Sequence, residues 1–128
     1  MLFSLIVPTL NRKNFLINFF KSLEKQEYKN FEVIVIDQNP INFLKIIISE
    51  WKKKLNITYK NVSFKGACKA RNFGIEFAKG NYIAFPDDDT EYAKDTLSLL
   101  AKEFLKRDSP DMILCNSLDQ NKKKNILK

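Results

Sequence analysis

The chain predicts an α/β fold: a mainly parallel sheet flanked by helices on both faces. Three observations carry this. Short apolar runs of strand length alternate with amphipathic stretches of helical period, the links between them are short, and the order reads β-α-β-α-β-α-β-α-β. Strands that alternate with helices pair in parallel, because each helix returns the chain across the sheet. The 128 residues suit one domain, long enough to bury roughly two-thirds of its unfolded surface. A 45% hydrophobic content that includes 11 Phe supplies an aromatic core.

The elements follow in order. LFSLIV (2–7) is a β-type run that Pro8 should stop. NFLINFFKSLEKQ (14–26) puts Phe15, Leu16, Phe19, Phe20 and Leu23 on one helical stripe. FEVIVID (31–37) is a strong strand, and Asn39-Pro40 offers an N-cap and first residue for a helix over 41–54. That helix should bury Phe43, Leu44, Ile47, Ile48 and Trp51, with Lys52 to Lys54 at its negative end. NITYKNV (56–62) is a third strand. ACKARNFGIEFAKG (67–80) is a third helix with Gly80 as its stop. NYIAF (81–85) is a fourth strand, Tyr92 to Lys106 a fourth helix, and DMILC (111–115) a fifth strand after Pro110. The closing LDQNKKKNILK has weak periodicity, and its Lys122-Lys123-Lys124 run reads as a frayed tail rather than a binding patch.

Composition narrows the chemistry. The chain has no His, and Cys68 and Cys115 stand far apart without a CxxC. A zinc site or a His-based triad is thereby excluded, and free thiols point to a reducing, cytoplasmic setting. The opening MLFSLIVP lacks a basic segment and meets Pro8 too early for a secretory signal. No apolar stretch nears the roughly 20 residues that span a bilayer. A net charge of +7 suits anionic partners such as nucleotides or phospholipid headgroups, or else reflects a bias toward Lys and Asn.

In a parallel α/β sheet, ligands bind beyond the carboxyl ends of the strands. The residues to weigh are therefore Pro8 to Arg12, Asp37 to Asn39, Asn61 to Gly66 and Pro86 to Thr90. Asp87, Asp88 and Asp89 stand in a row after the fourth strand. In an extended segment Asp87 and Asp89 point the same way. They then either hold Mg²⁺ or Mn²⁺ as hard oxygen ligands or cap the next helix. Asp37 brings a second acid to the same rim, as ligand contact or as turn. Arg71 lies in the small, apolar stripe of the third helix and needs an anion: Asp37, Asp87 or a ligand phosphate. Gly74, in mid-helix, marks close packing. Neither GxGxxG nor GxxxxGK[ST] occurs, and PTLNRKN after the first strand suits a base or ribose better than a pyrophosphate cradle.

With these residues in place, the chain resembles the nucleotide-binding half of family-2 inverting glycosyltransferases of the GT-A fold, from about Ser4 to Leu118. LIVPTLNR, SLEKQ, FEVIVIDQN and KARNFGIEFAKGNYIAFPDDD carry the resemblance in the family's order and spacing. It implies a GT-A, Rossmann-like nucleotide-diphospho-sugar transferase domain over 1–118, with a polar, basic tail over 119–128. Pro8, Thr9 and Asn11 would line the base and ribose pocket, and Asp37 would accept a hydrogen bond from the base, typically uracil. Arg71 would sit near the nucleotide. Asp87 would touch ribose or metal, and Asp89 would bind the Mn²⁺ or Mg²⁺ that bridges the diphosphate. The implied partners are a UDP-sugar and a saccharide or lipid-linked acceptor, with no nucleic acid. The implied setting is the cytoplasm, with peripheral association at the inner face of the membrane.

Two departures stand out. After Asp37 the family often continues Asp-Gly-Ser, whereas this chain has Gln38-Asn39-Pro40, which leaves loop geometry and nucleotide preference open. Family members are usually longer, and their second half brings the acceptor site and its general base. No residue here matches that base, so the chain reads as truncated, binding a sugar nucleotide and transferring weakly or not at all unaided. The alternatives are a non-catalytic sugar-nucleotide-binding module and a nucleotidyltransferase-like enzyme. The latter would show a glycine-rich basic loop in place of PTLNRKN.

Overall fold

The computed structural model describes residues 1–119 and 125–127. The chain divides into two compact units, Met1–Ser98 and Leu99–Lys128.

In the first unit, β1 (Phe3–Thr9), β2 (Phe31–Asp37), β3 (Ile57–Asn61) and β4 (Tyr82–Ala84) form a sheet in the order β3-β2-β1-β4. All three pairings are parallel. The register runs from Phe3↔Phe31 to Thr9↔Asp37, and from Val33↔Ile57 to Asp37↔Asn61. Every residue of β1 and β2 is buried. Side chains alternate between the faces of a strand, so both faces of this central pair are covered, as parallel pairing requires. On one face Ile6, Ile34 and Ile36 pack with Ala70 of α3 (Ala67–Ile75). The other is left to α1 (Lys13–Glu24), whose buried Leu16, Phe19, Phe20 and Leu23 reach α2 (Lys45–Trp51) where Phe20 meets Trp51, ring centres 5.5 Å apart.

Several expected boundaries move, each for a local reason. Pro8 does not stop β1. Phe3 and Thr9 bond toward β2, so by alternation Pro8 turns its N-less edge toward β4, whose pairing has ended at Leu5↔Ala84. Asn42 has a φ of 68°, outside the helical region. Residues 40–44 therefore form turns, α2 begins only at Lys45, and Phe43 stays exposed. Phe15 likewise lies outside the buried stripe of α1. Helix α3 ends at Ile75 in tight turns closed by Phe77 N→Gly74 O and Ala78 N→Ile75 O.

Gly80 is accordingly not a helix stop. Its N–H donates to Ser4 Oγ at 2.8 Å, Ser4 Oγ donates to Glu32 Oε1 at 2.6 Å, and the N–H of Lys79 donates to the same oxygen at 2.7 Å. The buried Glu32 thus clamps the chain as it enters β4, at the end of the sheet away from the rim.

Helix α4 (Thr96–Phe104) begins in the first unit and ends in the second. The second unit carries an antiparallel pair, β5 (Asn116–Leu118) with β6 (Asn125–Leu127), in register Asn116↔Leu127. The fifth parallel strand expected over 111–115 does not form. A β-type run becomes a strand only where a neighbour offers a ladder, and here Met112 and Leu114 remain exposed. Lys122 to Lys124, read from the sequence as tail, lie outside the described residues. Among those described, no helix is long and apolar enough to cross a membrane.

Candidate functional site

Parallel pairing brings the carboxyl ends of the strands to one rim, with Thr9, Asp37 and Asn61 side by side in register. Asp37 is fully buried. Its Oδ1 accepts the backbone N–H of Asn39 at 2.8 Å and the Asn39 amide at 2.7 Å, and its Oδ2 accepts the Tyr59 hydroxyl at 2.5 Å. Burial first, and then the Asp37 hydrogen bond and charge, push the Tyr59 phenol well above its ordinary value, so it stays a donor. Asn61 bridges the carbonyls of Asp37 and Asn39 at 3.1 and 3.0 Å.

Asn39, expected to cap a helix, instead joins two loops. Its side-chain oxygen accepts the N–H of Asn11 at 2.7 Å. Asn11 sits at a φ of 57°, a left-handed conformation that Asn tolerates better than most residues. Gln38 performs a parallel task, accepting the N–H of Gly66 at 2.6 Å, just ahead of α3.

The acidic triplet is a turn, closed by Thr90 N→Asp87 O at 3.1 Å, not an extended segment. The alternation expected of Asp87 and Asp89 therefore does not describe it. Asp87 accepts from Arg71 at 3.0 Å. Asp88 is buried and accepts the Thr9 hydroxyl at 2.9 Å. Arg12 spans Asp88 at 3.3 Å and Asp89 at 3.1 Å. Burial holds the Asp88 carboxyl above the usual range; the Thr9 hydrogen bond and Arg12 pull it down, and the Asp89 charge adds to the rise. The Arg71 Nε is buried with no hydrogen-bond partner.

Of the seven residues singled out from sequence, Thr9, Arg71, Asp87 and Asp89 meet around the triplet, while Asn11 and Asp37 meet through Asn39. Pro8 is buried in β1. From the sequence, Arg12 and Asn61 stood only inside the strand-end windows without a role, Asp88 only as the middle of the acidic row, and Tyr59 not at all. Arg12 stands in the strand-end window PTLNRKN, and Tyr59 and Asn61 are two apart on β3, pointing to one face. Among the described residues no three metal-binding side chains form a ready cluster. Asp87 and Asp89 nevertheless fit a hard cation: both carboxylates reach solvent, and Mg²⁺-type ions take one or two carboxylates and fill their shell with water and substrate phosphate.

Comparison with known proteins agrees with this architecture. A region of this chain is 37% identical over 99 residues to an uncharacterized glycosyltransferase of Rickettsia conorii, covering 77% of the chain and 16% of that protein. The amylovoran biosynthesis glycosyltransferase AmsB of Erwinia amylovora is 35% identical over 100 residues, with coverages of 74% and 33%. The solved structure of residues 1–349 of TarS from S. aureus in complex with UDP-GlcNAc superposes with a TM-score of 0.74 at 30% identity, over 81% of this chain and 31% of that one. A Pyrobaculum calidifontis mannosyltransferase, at 23% identity and a TM-score of 0.73, shares the fold. The chain thus spans about a sixth to a third of these proteins' lengths. The description "Glycosyl transferase family 2" matches residues 4–127, nearly the whole chain, and the chain belongs to that family.

Proposed function

We propose that residues 1–118 form a domain that binds a nucleoside-diphosphate sugar, a UDP-sugar by preference, together with Mn²⁺ or Mg²⁺. The bound sugar would undergo inverting transfer to a saccharide or lipid-linked acceptor. The observation that carries this is the acidic turn at the carboxyl rim, where two guanidiniums attend three consecutive carboxylates beside the enclosed Asp37. The relatives' names and the TarS complexes with UDP and UDP-GlcNAc support the choice of donor.

In this reading Pro8, Thr9 and Asn11 border the base and ribose, and Asp37 orients the base from a network that Tyr59, Asn39 and Asn61 hold rigid. Asp87 and Asp89 would hold the cation, with Asp87 also near the ribose. When bound, the cation supplies Lewis-acid neutralisation of the charge that grows on the departing diphosphate. Arg71 and Arg12 keep the carboxylates in place and offer positive charge to the diphosphate. None of the described residues is assigned as the base that deprotonates the acceptor. The same reading takes the cytoplasm as the compartment, where the exposed thiols of Cys68 and Cys115 stay reduced.

Calorimetric titration tests it, with UDP and UDP-GlcNAc added to wild type and to Asp89→Ala, with and without Mn²⁺. Wild type should bind in a metal-dependent way, and Asp89→Ala should bind more than about tenfold more weakly, a difference of about 1.4 kcal/mol. Equal, metal-independent affinity in both proteins would remove the metal role.

A further inference from the structure

The backbone of Arg12 is pinned, and its side chain is not. Asn11, at a φ of 57°, turns the chain just before α1, and Asn39 Oδ1 accepts its N–H at 2.7 Å. Arg12 follows as the N-cap residue of α1, and its carbonyl accepts the N–H of Leu16 at 3.0 Å. The side chain beyond is 49% exposed. A single nitrogen, Nη1, reaches both Asp88 at 3.3 Å and Asp89 at 3.1 Å. This is not the two-pronged fork that makes an arginine–carboxylate pair strong, and an ion pair so open to water is worth little.

The two aspartates differ in what they keep if Arg12 turns away. Asp88 is buried and retains the Thr9 hydroxyl at 2.9 Å. Asp89 is 35% exposed, and Arg12 is its one ionic partner among the described residues. Asp87 is attended separately, by Arg71 at 3.0 Å. Arg12 and a divalent cation therefore compete for one carboxylate. An N–H on Asp89 uses a lone pair that a cation needs, and two positive groups there repel each other. A diphosphate shifts the balance, because a guanidinium can meet phosphate oxygens with two parallel hydrogen bonds where Asp89 receives only one.

We infer that Arg12 makes this site's hold on a divalent cation conditional on a diphosphate: its guanidinium guards Asp89, and turns onto the diphosphate when one binds. The inference rests on the nucleoside-diphosphate reading and adds a coupling residue to it. Cation alone binds weakly, and cation with nucleotide binds tightly. A guanidinium that merely braced the acidic turn would have another signature. Its loss would loosen the carboxylates and weaken the cation with and without nucleotide alike.

Mn²⁺ binding tests it, read from the electron paramagnetic resonance of free Mn²⁺ over the full chain, without UDP and with saturating UDP. Wild type should bind Mn²⁺ about tenfold more tightly when UDP is present. Arg12→Gln should bind Mn²⁺ alone about fivefold more tightly than wild type, and no more tightly than wild type once UDP is added. The coupling between the two ligands thus falls, and linkage requires the same fall in UDP affinity measured with and without Mn²⁺. Arg12→Lys keeps the charge and should keep Mn²⁺ alone weak. Lys21→Gln removes the same charge in the last turn of α1 and should match wild type. Arg12→Met takes the place of Arg12→Gln should thermal melts show the latter to be unfolded. Wild type that binds no UDP overturns the nucleotide reading and this inference together. Wild type that binds UDP, with Arg12→Gln retaining its coupling or binding Mn²⁺ alone more weakly, overturns this inference only. Equal tightening in Arg12→Gln and Lys21→Gln also overturns it, by assigning the effect to net charge.

Discussion

Three consecutive carboxylates repel one another, and the chain eases this with partners for each: Arg71 for Asp87, Thr9 for Asp88, and Arg12, whose Nη1 is shared between Asp88 and Asp89. Asp88 bears most of the strain of burial, and its raised titration has a definite sign. Below the ordinary carboxylate value, about 3.9, the group is neutral in folded and unfolded chains alike, and its folding contribution is intact. As pH rises through the raised folded value, part of that contribution is lost, because the charged form is disfavoured in the fold. Thr9 opposes this by donating to the charged form. Thr9→Val should therefore show a stability deficit that grows from about pH 3.9 through the Asp88 titration and levels off near about 1.5–3 kcal/mol. Urea unfolding of both proteins at stepped pH measures it, and a deficit that stays flat across the range would contradict the assigned role.

Helix α3 and the turn after it show how close approach shapes an element. A Cβ on Gly74 would lie 2.5 Å from Ile6 Cγ2, a side-chain atom, whereas one on Gly80 would lie 2.7 Å from the Leu2 carbonyl oxygen and the Ser4 nitrogen. Backbone yields less readily than a methyl group. Gly74→Ala also gains about 1 kcal/mol of helix propensity, which offsets part of an overpacking cost of about 1–3 kcal/mol. Gly80 lies outside the helix and has no such offset. Both variants should be destabilised, Gly80→Ala by the larger amount, and chemical denaturation would reveal the order. A stabilised Gly74→Ala would show that α3 can shift away from β1. Gly74, expected in mid-helix and found in the last turn of α3, was legible as a close contact from sequence alone. Gly80 was not, because a glycine at the end of a helical pattern reads equally as a stop, and only the approach of β1 tells the two apart.

For the molecule as a whole, the family match and the TarS likeness make ligand-linked stability the broadest test. A ligand that binds only the folded chain stabilises it by about 2.7 kcal/mol at a hundredfold excess over its dissociation constant. UDP with Mn²⁺ should therefore raise the melting temperature by several degrees, and by clearly more than Mn²⁺ alone. No shift at saturating nucleotide would count against the nucleotide pocket.

Periodicity and order along the chain were enough to establish a parallel α/β sheet, four of the five strands expected in it and the rim where acids gather, because burial on both faces of β1 and β2 leaves continuous apolar runs that a sequence cannot hide. The pairings across that rim were another matter. Arg12 and Asp88 are 76 residues apart, Thr9 and Asp88 79, and Tyr59 and Asp37 22. Such contacts leave no local pattern, since they depend on strand register and loop course, and no repeat along the chain encodes either. The fold therefore followed from local apolar patterning, while the partner of each carboxylate was decided only when the strands were laid side by side.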